Sequence, residues 1–295
     1  MKDKILAIVG PTAVGKSNLA VNLALEFNGE VISADSRQIY KGLDIGTGKI
    51  TEGEKKEVTH YMIDIADPRE QYTVAEWKNN TEKIISEVLS KDRLPIICGG
   101  TGQYIEAIVD NISYPNVPPN YELRDKLQDK SPEKLFAILM SKDEDRANTI
   151  DRNNPRRIIR AIEIAESIGK VPPLESDPKY NALQIGLYLP REKLKNRIKN
   201  RLESRLEIGM VEEAKKIHSN GISYKRMDEL GLEYRYLAKY LQNEMTYEEM
   251  KEKLETEIYQ YSVRQLRWFR RDNRIKWFTP EENDQIQEEV RKFLT

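Results

Sequence analysis

Cys98 is the only thiol among the 295 residues. With one cysteine no intramolecular disulfide can form, and no zinc cluster can be assembled from thiolates. Cys98 closes the apolar run Leu94-Pro95-Ile96-Ile97-Cys98, so it is expected as a buried strand residue rather than a reactive group. The chain also lacks any stretch near the roughly 18 consecutive apolar residues of a membrane span, and no membrane partner is expected. Its first residues run into Ile5-Leu6-Ala7-Ile8-Val9 without the cleavage pattern of a signal peptide, so a cytoplasmic location is expected. No internal repeat and no low-complexity linker interrupts the sequence. An excess of charge is absent too: the formal net charge is -1, and that total names no partner.

Charge is present, but it is distributed unevenly. Residues 261–277 hold Arg264, Arg267, Arg270, Arg271, Arg274 and Lys276 against the single acid Asp272. After Pro280 the sign reverses, with Glu281, Glu282, Asp284, Glu288 and Glu289. A neutral total therefore covers a local basic surface.

Short apolar runs alternate with helical periodicity over the first third. Residues 5–9 read as a buried parallel strand. Leu19, Leu23 and Phe27 recur every four residues and predict a helix, with Gly29 expected at its C-terminal cap. Val31-Ile32, Met62-Ile63-Asp64-Ile65 and 95–98 are further strand candidates, and 74–89 reads as a helix. Such alternation predicts an α/β fold with a doubly wound parallel sheet. At 114–119 the sequence Tyr-Pro-Asn-Val-Pro-Pro can continue neither element. Short helices are expected at Tyr121–Leu127, 132–140 and Pro155–Ile168, and an apolar strand pattern returns at 184–189. The expected organisation is the first part of the core over 1–112, a helical insertion over 113–182, and the rest of the core with basic helices over 183–295. In that last part Leu194, Ile198, Leu202 and Leu206 form a four-residue stripe, Asn220-Gly221 breaks it, and 246–269 makes a long helix.

The strongest motif is Gly10-Pro11-Thr12-Ala13-Val14-Gly15-Lys16-Ser17. It matches the phosphate-binding pattern G-x-x-x-x-G-K-[ST] and lies between a strand and a helix, as the chemistry requires. The glycines let several backbone N–H groups turn toward one anion, and the helix N-terminus adds partial positive charge. Lys16 brings a point charge to the terminal phosphate, and Ser17 offers a hydroxyl to Mg²⁺. ATP, GTP and an organic diphosphate look alike at this end.

Other segments end on the same edge of the expected sheet. Asp35-Ser36-Arg37-Gln38 follows the strand at Val31-Ile32, where ligands of such sheets bind. Asp35 can take a proton from a nucleophile or hold Mg²⁺ through water; it can equally cap a following helix. Residues 42–49, with three glycines and Lys49, read either as a second anion loop or as a plain turn. Gly99-Gly100-Thr101 follows another strand and carries a hydroxyl to the same edge. Farther on, Arg156, Arg157 and Arg160 share one side of a helix begun by Pro155; that side fits a phosphate backbone or a solvated, ion-paired surface. In Arg264-Gln265-Leu266-Arg267-Trp268-Phe269-Arg270-Arg271 basic residues interleave with aromatics that can stack on unpaired bases or fill the core.

In this order the segments 10–17, 33–49, 99–105, 154–164 and 263–271 resemble the tRNA dimethylallyltransferases, also called tRNA isopentenyltransferases, over nearly the whole chain. The resemblance implies transfer of a dimethylallyl group from dimethylallyl diphosphate to N6 of the adenosine next to the tRNA anticodon, assisted by Mg²⁺, with the anticodon stem-loop as partner; a monomer is expected. It implies that the loop at 10–17 holds the diphosphate and that Asp35 is the general base. It puts Thr101 at the reaction site and Arg197 or Arg201 on the diphosphate. Contacts to tRNA are implied for Asp35, Ser36, Arg37, Gln38, Thr101, Arg124, Arg156, Arg157, Ile158, Ile159, Arg160, Arg264, Gln265, Arg267, Trp268, Arg270 and Arg271. The chain departs from the family at Glu229-Leu230-Gly231-Leu232-Glu233-Tyr234-Arg235, where an Ile-Gly-Tyr-Lys/Arg-like stretch is usual. Competing readings are an adenylate isopentenyltransferase acting on free AMP, ADP or ATP, a small-molecule kinase and a non-catalytic RNA-binding protein. The first gives the arginine-rich half little purpose. The kinase leaves 35–49 unexplained, and mere RNA binding leaves Asp35 and Thr101 without a task.

Overall fold

The computed structural model describes residues 2–115 and 117–295. Asn116, inside the proline-rich stretch, and Met1 lie outside the described residues. In chain order the elements are β1 (Lys4–Val9), α1 (Lys16–Glu26), β2 (Gly29–Ser33), α2 (Glu52–Lys55), β3 (His60–Tyr61), α3 (Val74–Ser90), β4 (Leu94–Gly99) and α4 (Gly102–Val109). Then come α5 (Tyr121–Leu127), α6 (Pro132–Lys142), α7 (Glu144–Thr149) and α8 (Pro155–Ile168). The chain ends through β5 (Asn181–Leu187), α9 (Arg191–Glu207), α10 (Met210–Ser219), α11 (Tyr224–Leu230), α12 (Leu232–Leu241), α13 (Tyr247–Phe269), β6 (Lys276–Phe278) and α14 (Asn283–Leu294).

The strands form one six-stranded sheet in the order β3-β2-β4-β1-β5-β6, parallel throughout. This is the α/β architecture expected from the alternating pattern. Ile5 to Val9 on β1 and Ile96 and Ile97 on β4 are fully buried, because helices cover both faces of a parallel sheet. Cys98 is buried with them. Several helix starts are written in the sequence. Thr73 with Glu76 and Thr246 with Glu249 form capping boxes for α3 and α13, each satisfying backbone N–H groups that a helix end leaves unpaired.

Two compact units result. One comprises residues 1–111 and 178–295 and holds the sheet; the other, Ile112–Asp177, is helical. In the helical unit α6 and α8 begin at Ser131-Pro132 and Asn154-Pro155, each with a side-chain cap and proline in the first turn. Leu127, Leu135, Leu139, Ala147, Ile150, Ile158, Ala161 and Ile162 make its core.

Three local expectations are corrected. Met62-Ile63-Asp64-Ile65 is not a strand, because Met62 and Asp64 have φ of 62° and 56°, and alternate left-handed residues cannot hold a pleat. Edge strand β3 stops at Tyr61, and the following backbone instead bonds to 38–39, with Ile65 N donating to Ile39 O at 2.8 Å. At the end of α1 the left-handed residue is Asn28, φ 50°, while Gly29 opens β2. The strand expected at 184–189 begins three residues earlier and ends two earlier, as β5. Helices α2, α4 and α7 and strands β3 and β6 carry no expectation of their own from the sequence. The acidic tail is a helix that buries Ile286 and Val290.

Candidate active site

The phosphate loop leaves β1 through Gly10, whose φ is 141° and whose missing Cβ leaves room for Leu187 O on β5. Gly15, φ 108°, turns the chain into α1, whose N-terminus has no side-chain cap. Such a helix start offers its N–H groups and the positive end of its dipole to an anion. Lys16 is half-buried and donates to Pro11 O at 2.6 Å. Burial pushes its ammonium down to about 8, opposed by the nearby Cys98 and Asp35. Ser17 is exposed at the start of α1.

Beside the loop, β2 ends at Ser33 and delivers Asp35. Its Oδ1 accepts from Arg37 N at 2.8 Å and from Gln38 N at 3.4 Å. The carboxylate thus caps a turn, the structural half of the alternatives left open by the sequence. Asp35 nonetheless stands close enough to Lys16 to favour the charged lysine, so it also belongs to the site. Strand β4 delivers Thr101. Its Oγ1 accepts from Ser36 N at 3.0 Å and lies 3.4 Å from Ser36 Oγ. Thr101 N in turn donates to Ala34 O at 3.1 Å. The ends of β1, β2 and β4 therefore meet at one place, where parallel sheets bind ligands.

Helices α9 and α13 close on this edge. Arg197 donates to Val14 O at 3.1 Å, and Arg201 reaches Thr12 Oγ1 at 3.4 Å and Gly48 O at 3.0 Å. Burial and then the neighbouring Arg205 push the Arg201 guanidinium down from its usual value, yet an arginine stays charged in a protein. Both guanidinium groups sought on α9 are thus at the phosphate loop. Arg205 was missed; its spacing of four from Arg201 was the available signal.

The tRNA-contact candidates are placed in several environments. Gln265 is buried on α13, where its Oε1 accepts from Thr12 N at 2.8 Å and its Nε2 donates to Gly100 O at 2.9 Å. Its amide bolts the phosphate loop to the turn after β4. Arg264, Arg267, Arg270 and Arg271 are exposed, and Arg271 stacks on the Trp268 ring at 4.1 Å from its centroid. Trp268 is half-buried against Gly102, while Phe269 is in the core. Arg37 is exposed, with its guanidinium donating to Glu229 O at 2.9 Å, and half-buried Gln38 lies 3.4 Å from Gly48 O.

In the helical unit Arg156 and Arg157 are exposed, Ile159 is partly buried, and Ile158 is fully buried in that unit's core. Arg124 and Arg160 grip the buried Glu163 at 2.7 Å and 3.2 Å. Both arginines are thus ion-paired while their side chains remain 30% and 35% exposed, and for Ile158 the core leaves no side-chain surface for a ligand.

Among the described residues no group of three or more His, Cys, Asp or Glu could cage a metal ion. The donors present are the Ser17 hydroxyl and the Asp35 carboxylate. That sparse oxygen set fits Mg²⁺ held largely by a ligand's phosphates and water. No helix among the described residues is long and apolar enough to cross a membrane.

Comparison with known proteins gives consistent matches. A family model described as IPP transferase matches residues 38–272. The tRNA dimethylallyltransferase 1 of Syntrophus aciditrophicus is 39% identical over 99% of this chain and 98% of that relative. The tRNA dimethylallyltransferase 2 of Bacteroides fragilis is 44% identical over 90% of this chain and 88% of its own length. Among solved structures, the tRNA isopentenylpyrophosphate transferase of Bacillus halodurans superposes with a TM-score of 0.76 at 36% identity, covering 99% and 96% of the two chains. A eukaryotic dimethylallyltransferase acting on tRNA superposes with a TM-score of 0.77 at 28% identity, over 90% of this chain and 69% of its own.

Proposed function

Because the chain belongs to the IPP transferase family, whose relatives here are tRNA dimethylallyltransferases, we propose that it transfers a dimethylallyl group from dimethylallyl diphosphate to N6 of the adenosine 3′-adjacent to the anticodon of tRNA. The observation that carries the mechanism is the meeting of Asp35 and Thr101 with the phosphate loop. A diphosphate in that loop faces Lys16, Arg197 and Arg201.

The nitrogen lone pair of N6 attacks C1 of the dimethylallyl group while the bond from C1 to the diphosphate oxygen breaks. The electron pair of that bond leaves with the diphosphate. Lys16, Arg197, Arg201 and the loop N–H groups stabilise the charge gathering there. Asp35 takes the proton that N6 loses, a step typically contributing about 10²–10⁴-fold. The Asp35 oxygen Oδ1 is committed to the turn at 36–38, so the other oxygen, Oδ2, is assigned the proton. Thr101, whose Oγ1 lies 3.0 Å from Ser36 N next to Asp35, orients the incoming nucleotide. When bound, Mg²⁺ adds further neutralisation of the leaving diphosphate, with Ser17 as its protein ligand. The adenosine must leave the anticodon stack to reach Asp35, at a cost of a few kcal/mol. Phosphate contacts from Arg264, Arg267, Arg270 and Arg271 offset that cost.

The test supplies the protein with Mg²⁺, labelled dimethylallyl diphosphate, and either unmodified tRNA or AMP. Label is expected on tRNA. Label on AMP alone, or ATP hydrolysis without transfer, would overturn the proposal.

A further inference from the structure

The glycine-rich loop at 42–49 has the look of a second anion cradle, and its cradle is already filled by a carboxylate of the chain itself. Asp44 N and Ile45 N donate to Glu213 Oε2 at 2.9 and 2.7 Å, and Gly46 N donates to Glu213 Oε1 at 2.8 Å. A fourth donor, the Tyr234 hydroxyl, reaches the same Oε1 at 2.7 Å. Tyr234 is 1% exposed, and its ring packs against Gly46 where a Cβ would stand. Burial, with Glu213 next, pushes its phenol well above the usual value, so it remains a donor. Lys49 is also turned to internal partners, Tyr40 O at 3.1 Å and Asp44 Oδ1 at 2.5 Å.

The other side of the loop faces α9. Ile45 O accepts from Arg205 Nε at 2.7 Å, and Gly46 O accepts from the same guanidinium. Two residues on, Gly48 O accepts from Arg201 at 3.0 Å, and the second terminal nitrogen of Arg201 reaches Thr12 in the phosphate loop. Arg201 is therefore held between two oxygens, one on each loop. Gly48 N donates to Ile45 O at 3.0 Å and Lys49 N to Asp44 O at 2.9 Å, so the residues that Glu213 holds also fix the position of Gly48 O. A shift of one ångström at a charge-bearing group is enough to cost a reaction 10²-fold, and half-buried Arg201 has limited water to replace a lost acceptor.

We propose that Glu213 and Tyr234 are positioning residues that aim Arg201 at the diphosphate through the loop at 42–49. The inference rests on the transferase reading above for its effect on turnover. Neither side chain touches the phosphate loop in its own right; both act through Arg201. This also gives a role to the stretch around Tyr234, where the sequence departs from the usual family pattern.

The test is a mutant cycle on the full chain, read first as pyrophosphate affinity by calorimetry and then as transfer kinetics. Tyr234→Phe removes one hydroxyl and keeps the ring that fills the space over Gly46. It is expected to weaken pyrophosphate binding about tenfold and to lower kcat, with KM for tRNA unchanged. Glu213→Gln keeps one acceptor oxygen and is expected to do the same. In an Arg201→Ala background neither substitution should weaken pyrophosphate further, because the group being aimed is gone. Losses that add in the double variants would show a merely structural role and overturn the proposal, as would unchanged pyrophosphate affinity in both single variants. Should the unaltered protein bind pyrophosphate but transfer no prenyl group, the functional reading fails while the positioning cycle is still decided by calorimetry.

Discussion

At the scale of single residues, the site concentrates positive charge where burial disfavours it. Lys16 has its ammonium lowered from 10.5 to about 8 by burial. In the unfolded chain this lysine holds its proton up to the higher value, so stability rises with pH through the window between the two. Below about pH 8 the folded protein carries the cost of a charged, half-buried lysine, on the order of 2–3 kcal/mol. Lys16→Met is expected to raise the melting temperature of the ligand-free protein by a few degrees at pH 7 while abolishing transfer. A lowered melting temperature would mean that Lys16 supports the loop instead of straining it. Because a bound diphosphate favours the charged lysine, pyrophosphate binding takes up a proton above pH 8. Affinity should then fall by up to about tenfold per pH unit, and Lys16→Met should lack that fall in calorimetry. Asp35 has two duties, and two substitutions separate them. Asp35→Asn keeps an oxygen for the turn N–H groups of Arg37 and Gln38 and removes only the base, so transfer should drop at least about 10²-fold with tRNA binding intact. Asp35→Ala also loses the turn and should weaken tRNA binding as well. Equal tRNA affinity in both would show that the turn has no part in recognition.

At the scale of elements, α13 presents two unlike sides. Its exposed side offers arginines, while its buried side sends Gln265 between the phosphate loop and Gly100. Gln265→Ala leaves Thr12 N and Gly100 O without partners in a buried place, at about 1–3 kcal/mol for each unsatisfied group. The expected result is a raised KM for dimethylallyl diphosphate and a melting temperature lowered by several degrees. Gln265→Glu keeps the acceptor for Thr12 but faces Gly100 O with a carboxylate, so it should rescue little. Neighbouring Gln265 and Trp268 also show what could be read in advance. The phosphate loop was legible because a strand, two glycines, Lys16 and Ser17 must stand in fixed order for the backbone to surround an anion. The three strand ends were legible from apolar runs bounded by glycine. Whether Gln265 faces RNA or the core was not, because an amide suits both and only the packing of α13 on α4 and the turn after β4 decides. The edge at 62–65 misled for a related reason. Its alternating apolar residues mimic a strand, and the left-handed backbone at Met62 and Asp64 is imposed by hydrogen bonds to 38–39, far off in sequence. Glu213 was invisible for the same reason: nothing near it on α10 signals that its carboxylate caps a loop some 170 residues earlier.

At the scale of the whole molecule, two units are stabilised by different means. The sheet unit rests on fully buried apolar strands, whereas the helical unit at 112–177 has a small core and a buried acid. Glu163 is 2% exposed and is held by Arg124, Arg160 and the backbone N–H of Asn120. Burial alone raises its carboxyl; the Arg124 bonds, the Asn120 N–H and Arg160 together outweigh it and hold the group below the ordinary glutamate value. A depressed acid contributes stability above the unfolded value and loses it as pH falls through the folded one. The helical unit should therefore loosen in acid before the sheet unit does. Glu163→Ala removes the carboxylate at neutral pH. Its two arginine partners have side chains 30% and 35% exposed and can rehydrate, so the cost should be about 1–2 kcal/mol rather than that of a sealed ion pair. Hydrogen exchange should quicken across α5 and α8 and stay slow in β1 and β4. Pyrophosphate affinity should be unchanged, since the phosphate loop lies in the other unit, while KM for tRNA should rise several-fold as Arg156 and Arg157 lose a fixed platform. Faster exchange in β1 and β4 to the same extent would mean that the two units unfold as one, and the independent loosening of the helical unit would have to be abandoned.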